Sequence, residues 1–151
     1  MIPITRALNA EHLMFNAVFD EVERLLPRLN RLMEVKRLAR LVEGLLRTHA
    51  KAEDDLLMLA QSHGSGDKGR YARCHHQHHE IDSQLTRVHS AASLTRARKL
   101  LRDALAASRK HFQHEERKVF PLLERGVKPE ELTRLGTAWF LHRHAPPRWA
   151  L

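Results

Sequence analysis

The sequence predicts an all-α protein, an antiparallel up-down four-helix bundle with a short C-terminal fifth helix. Three observations predict it. Apolar residues recur every three or four positions through four long stretches, the amphipathic helix pattern. Only six glycines and six prolines interrupt 151 residues. The connections between the stretches are short, which places successive helices antiparallel. Residues 1–151 are expected to form one domain, with the bundle over about 8–126 and the last helix and tail over 127–151.

The first helix is expected from Asn9, as N-cap, to Leu29, with Phe15, Phe19 and Val22 inward and Pro27 near its end. The second is expected from Glu34 to Gln61, with Leu38, Leu41, Val42, Leu45, Ala52, Leu56 and Leu59 as its stripe. His63-Gly-Ser-Gly-Asp67 reads as a loop. The third helix spans Lys68 to His89, with Tyr71, Cys74, Ile81, Leu85 and Val88 on one face. The fourth, capped by Ser93, runs from Leu94 to Arg125, is bent by Pro121 and stops at Gly126. A fifth helix begins at Pro129, a proline suited to a first helical position, and the tail from His144 is expected to be irregular. Met14, Met33 and Met58 are expected as core filler, and Trp139, Phe140 and Trp149 to cover a bundle end or a partner surface.

Composition excludes several classes. Lys and Arg number 26 against 18 acids, a net charge of +8, but they are spread along every segment with no basic block. Nucleic acid is therefore not expected as the partner; a protein partner or a homo-oligomer is left open. No apolar run approaches the ~20 residues of a membrane span. Met1 to Glu11 has no apolar core of signal-peptide length, and Cys74 is the sole cysteine, so a cytoplasmic location is expected.

Twelve histidines are far more than packing requires. Four interrupt the apolar stripes, one per helix: His12, His49, His78 and His111. His49 and His111 each have a glutamate four residues later, Glu53 and Glu115. Positions i and i+4 lie about 40° apart on a helix, so each pair faces the core at adjacent levels. The order is a two-fold repeat: His, then HxxxE 37 positions on, then His, then HxxxE 33 positions on. The apolar frame repeats too, at +3, +7 and +10 from His12 (Phe15, Phe19, Val22) and from His78 (Ile81, Leu85, Val88). That register selects His78 from the crowded run around it, with His76 pointing away from the core and His79 at its edge.

Burying six such polar side chains costs several kcal/mol unless each finds a partner. A metal centre satisfies all six. Imidazole with carboxylate suits iron, manganese or zinc, and bridging carboxylates favour two ions. Two histidines and one oxygen from each glutamate give each ion four donors, an oxo or hydroxo bridge makes five, and one position stays open for O2, NO or peroxide. Cys74 lies one turn before His78 and reads as a small buried residue, with a redox-active thiol as the sharper alternative.

At these residues the sequence resembles the hemerythrin-like, or HHE cation-binding, family. The resemblance rests on Glu11-His12, His49-Ala-Lys-Ala-Glu53, His78-His79-Glu80-Ile81-Asp82 and His111-Phe-Gln-His-Glu-Glu-Arg-Lys-Val-Phe-Pro121, over about residues 8–125. It implies a four-helix bundle holding a non-haem di-iron centre, with His12, His49, Glu53, His78, His111 and Glu115 as ligands. Oxygen carriers of the family add a fifth histidine and place an acid five residues after the last one. Here Glu116 stands at that position, and His75, His79 or His114 could supply the histidine. The set of four histidines and two glutamates looks more like the branch that includes iron–sulfur-cluster repair proteins.

The leading expectation is a di-iron protein that binds or senses O2 or NO, or handles iron under oxidative or nitrosative stress. The alternatives are a di-iron peroxide or NO reductase or repair enzyme, a metal-responsive regulatory module, and a zinc or nickel protein. Binding or sensing is favoured over turnover.

Overall fold

The computed structural model describes residues 2–62 and 68–144. The elements are α1 (Ile4–Leu25), a 3-10 turn (Leu26–Arg28), α2 (Leu32–Ser62), α3 (Lys68–His89), α4 (Leu94–His114), a π-turn (Glu115–Val119), α5 (Phe120–Gly126) and α6 (Pro129–His144). Among the described residues there is no strand. The loop expected at 63–67 and the tail beyond 144, Trp149 included, lie outside them.

Helix α1 begins five residues before the expected cap at Asn9. Pro3, extended at φ −57° and ψ 148°, caps it instead. Its carbonyl accepts from the Arg6 and Ala7 amides at 3.1 and 3.2 Å. The extra turn is held by burial of Ile4, Ala7 and Leu8. Pro27 falls inside the 3-10 turn that ends the helix. Ser93 caps α4 as expected, its side chain accepting from the Arg96 amide at 3.2 Å.

The segment 94–125 is not one regular helix. In its last third the Phe120 amide donates to the Glu115 carbonyl, an i→i−5 bond that marks the π-turn. Pro121 is the physical reason within reach: it has no N–H to give Arg117, and its ring crowds that carbonyl. Widening the preceding turn relieves both.

Helices α1 to α4 form the bundle, α3 lying against α4 and α2, and α1 against α2 and α4. Helix α6 folds back along α1. A Cβ on Gly136 would stand 2.0 Å from the Ile2 carbonyl oxygen, so the two segments meet there at backbone contact.

Two apolar clusters fill the interior. One holds Phe15, Phe19, Val42, Leu85, Leu101 and Phe112 among others. The second, at the opposite end, holds Ile4, Leu8, Leu56, Tyr71, Cys74, Phe120 and Leu123 with Leu132 of α6. Val35, Ala39, Leu46 and Leu57 are buried on α2, whereas Leu41, expected inward, is exposed. The true stripe follows 35, 39, 42, 46, 49, 53 and 56, and Leu41 lies off it. Met14, Met33 and Met58 are not core filler: each sits on the outer side of its helix, 48%, 51% and 71% exposed. Trp139 packs against the second cluster, while Phe140 is exposed.

Candidate metal centre

Between the apolar clusters lies one polar layer. His12, His49, Glu53, His78, His111 and Glu115 are all buried, and the bundle brings all six together. They form two groups that share both glutamates: His12, His49, Glu53 and Glu115, and Glu53, His78, His111 and Glu115. His75 and His79 are exposed and His114 half-buried, and none of the three belongs to either group.

In each histidine pair the Nε2 atoms face each other, 2.9 Å apart for His12 and His49 and 2.7 Å for His78 and His111. Glu53 reaches both pairs. Its Oε1 lies 2.9 Å from His49 Nε2 and 3.3 Å from His12 Nε2, and its Oε2 lies 3.2 Å from His78 Nε2. Glu115 Oε2 stands 3.5 Å from His12 Nε2 and 3.4 Å from His111 Nε2.

The outward nitrogens are held as deliberately. His12 Nδ1–H donates to Glu116 (2.9 Å), His49 Nδ1–H to Glu11 (2.8 Å), His78 Nδ1–H to Asp54 (3.2 Å) and His111 Nδ1–H to Gln77 (3.1 Å). Each acceptor is the sequence neighbour of an inward-facing residue on the adjoining helix. One residue turns 100° around a helix. Glu11 beside His12 therefore meets α2, Asp54 beside Glu53 meets α3, Gln77 beside His78 meets α4, and Glu116 beside Glu115 meets α1. The four bonds close a ring around the bundle.

With Nδ1 committed outward, every Nε2 presents its lone pair to the layer, the tautomer that a metal-ligating histidine requires. Two bare lone pairs at 2.7–2.9 Å repel unless a proton or a cation lies between them. A metal–nitrogen bond of ~2.0–2.1 Å at a right angle spans about 2.9 Å. Glu115 supplies an independent test: its carboxylate is buried, and the histidine nitrogens that face it, on His12 and His111, come no closer than 3.4 Å. Burial and the charge of Glu53 push its carboxyl well above the usual range. A buried acceptor of this kind is costly without a cation to meet it. The donor set thus fits a pair of metal ions.

Protons occupy the same positions in the metal-free protein. Burial opposes a charge on His49, but Glu53 and Glu11 outweigh it and raise the imidazole to about 9. His78 is likewise raised to about 9 against its burial, by Asp54 and Glu53. Burial prevails at His111, which is lowered despite Glu53. Glu53, whose burial would raise it, is held well below the usual carboxylate range by His49 and by bonds from His111 and His12.

The surroundings are aromatic and apolar. The His12 ring stacks on Phe112 at 4.1 Å, and Phe15 meets the His49 ring edge-on at 5.0 Å. A hollow of about 20 Å³ opens beside His49, His78 and His111, walled by Leu46, Ile81 and Phe112 with Ala50 and Asp82. Cys74 is fully buried, and burial with Glu53 and Asp54 nearby pushes its thiol up to about 12, so it stays protonated.

Fold and site together define a class, the helical bundles that bind cations in a buried layer of histidine and carboxylate. The Hemerythrin HHE cation binding domain family matches residues 4–123, and the chain belongs to it. No curated protein and no solved structure matches the chain.

Proposed function

We propose that the layer holds two iron ions, and that the centre binds or senses O2 or NO, or handles iron under oxidative or nitrosative stress. His12 and His49 would hold one ion and His78 and His111 the other, with Glu53 and Glu115 shared between them. Two irons supply reversible one- and two-electron chemistry and positions open to a small ligand.

The observation that carries the reading is the hollow beside three of the histidines. About one water-sized sphere, ~10–15 Å³, is the least a cavity needs to accept a molecule, and the hollow holds little more. A diatomic fits it. Its leucine, isoleucine and phenylalanine walls suit an uncharged guest better than a hydrated ion. The inert Cys74 thiol favours binding over thiol-based turnover. The docking of α6 along α1 supports taking residues 1–151 as one domain. No helix among the described residues is long and apolar enough to cross a membrane, and we place the protein in the cytoplasm.

Elemental analysis of protein from iron-supplemented cells, with an absorption spectrum of the same sample, tests the reading. Two irons per chain and a near-ultraviolet band that changes on adding azide or NO are expected. Zinc or manganese in place of iron, or an iron spectrum indifferent to both ligands, would overturn it. Consumption of NO or peroxide with a reductant, in place of stoichiometric binding, would move the assignment to an enzyme.

A further inference from the structure

A second histidine pair stands outside the buried layer. His75 and His79, one turn apart on the exposed side of α3, bring their Nε2 atoms to 3.2 Å, with ring centroids 4.6 Å apart and planes at 84°. Neither belongs to the groups of the buried centre. We propose that this pair is a surface site for a divalent transition-metal ion, and that it is the port through which ions reach the buried centre.

The geometry suits a shared cation. Metal–nitrogen bonds of ~2.0–2.1 Å at angles between a right angle and the tetrahedral value place two nitrogens about 2.9–3.4 Å apart. A hydrogen bond between the rings spans the same distance and is the arrangement of the metal-free pair. The other nitrogen of His75 repeats the design of the core: its Nδ1 faces Asp54 Oδ1 at 3.6 Å. The same oxygen accepts from His78 Nδ1 at 3.2 Å. One carboxylate oxygen therefore touches both a surface histidine and a buried one.

The surface around the pair is richer in acid than the chain as a whole. A groove of about 260 Å³ is lined by Asp54, Asp55, Asp82, His75 and His79, and it reaches His78. Of the two basic residues that also line it, Arg47 is engaged outside the groove, with Glu43 at 2.7 Å, and Lys51 pairs within it with Asp55 at 3.2 Å, which leaves Asp54 and Asp82 to face a cation. On a chain of net charge +8, Asp54 and Asp82 with two imidazoles in one groove concentrate cations locally. His78 also lines the small hollow of the buried centre, so it forms the wall between groove and interior. Imidazole nitrogen with carboxylate nearby selects Fe2+, Zn2+ or Ni2+ over Ca2+ or Mg2+.

The role as a port rests on the di-iron reading; the existence of the site does not. The test titrates Ni2+ by calorimetry into the full chain, wild type and H75A/H79A, with H76A as a control for an exposed histidine outside the pair. Both replaced side chains are exposed and alanine favours a helix, so the fold is expected to persist, with circular dichroism as the check. Wild type and H76A should bind one Ni2+ more than H75A/H79A. Equal stoichiometry in all three would overturn the site. Apo protein is then mixed with Fe2+ and its uptake followed in the ultraviolet. The double variant should reach the same end point at least about tenfold more slowly, the scale on which local enrichment changes on-rates. An unchanged rate would overturn the port. Absence of iron from wild type and variant alike would instead overturn the di-iron reading, and the Ni2+ difference would still decide the surface site.

Discussion

His111 donates its Nδ1–H to the amide oxygen of Gln77 at 3.1 Å, where each of the other three core histidines faces a carboxylate. A neutral acceptor leaves the ring less basic, in accord with the lowering of His111 by burial while His49 and His78 are raised. Replacing Gln77 by Glu should keep His111 protonated to higher pH in the metal-free protein, measurable by NMR titration of the ring. The converse change, Glu11→Gln, gives His49 the partner that His111 has. Metal affinity, read by competition with a chelator, should fall by about tenfold, the lower end of the usual cost of losing such a partner.

The two buried glutamates should respond differently to amidation when no metal is bound. Glu53 is ion-paired to the histidines on both sides, so Glu53→Gln should destabilise the metal-free protein by about 3–5 kcal/mol in urea unfolding. Burial and the charge of Glu53 favour the uncharged form of Glu115, so Glu115→Gln should be neutral or stabilising there. Both changes should lower metal content. Destabilisation of equal size at the two positions would show that Glu115 is paired in solution.

Stability of the metal-free protein should fall as the medium becomes alkaline. His49 and His78 are raised from 6.5 to about 9, so their contribution is complete below about pH 6.5 and lost as pH rises through 9. Glu115 acts in the same direction, since its raised carboxyl favours the folded state only while protonated. Glu53, held low, contributes above the ordinary carboxylate range and loses its effect in acid. The urea midpoint should therefore drop between pH 6.5 and 9 in the apo protein. The metal-loaded protein should lack that drop, because cations replace the protons.

Filling the hollow should separate ligand access from metal binding. Ala50→Leu adds apolar volume to a space of about 20 Å³. Metal content should stay at the wild-type value, while the spectral response to azide and NO falls at least about tenfold, as expected when overpacking costs more than 1.4 kcal/mol. An undiminished response would place ligand access elsewhere.

The buried layer was legible because histidine is conspicuous in an apolar stripe. His12, His49, His78 and His111 each stand where the 3.6-residue period calls for a hydrophobic side chain. The outer ring was not. Glu11, Asp54, Gln77 and Glu116 are ordinary surface residues until the neighbouring helix is in place, although each sits beside an inward-facing residue and that adjacency was the available signal. Asn9 has the character of a cap, yet α1 begins at Ile4, because Ile4, Ala7 and Leu8 are buried by later elements of the chain that the local sequence does not show. Exposed Leu41 and the methionines show the converse: an apolar residue near a stripe is not thereby inside.

The π-turn has a consequence for how the molecule assembles. Glu115 points into the layer, Glu116 holds His12 from outside, and Phe120 and Leu123 just beyond belong to the apolar end that receives α1 and α6. Deleting one residue from Glu115–Val119 would rotate everything after it by 100° about the helix axis. The buried carboxylate, the outer acceptor and the seat of the last two helices are thus geared to one register. The turn that aims Glu115 into the layer therefore also sets where α5 and α6 dock, so a change of register there would disturb the centre and the apolar end together.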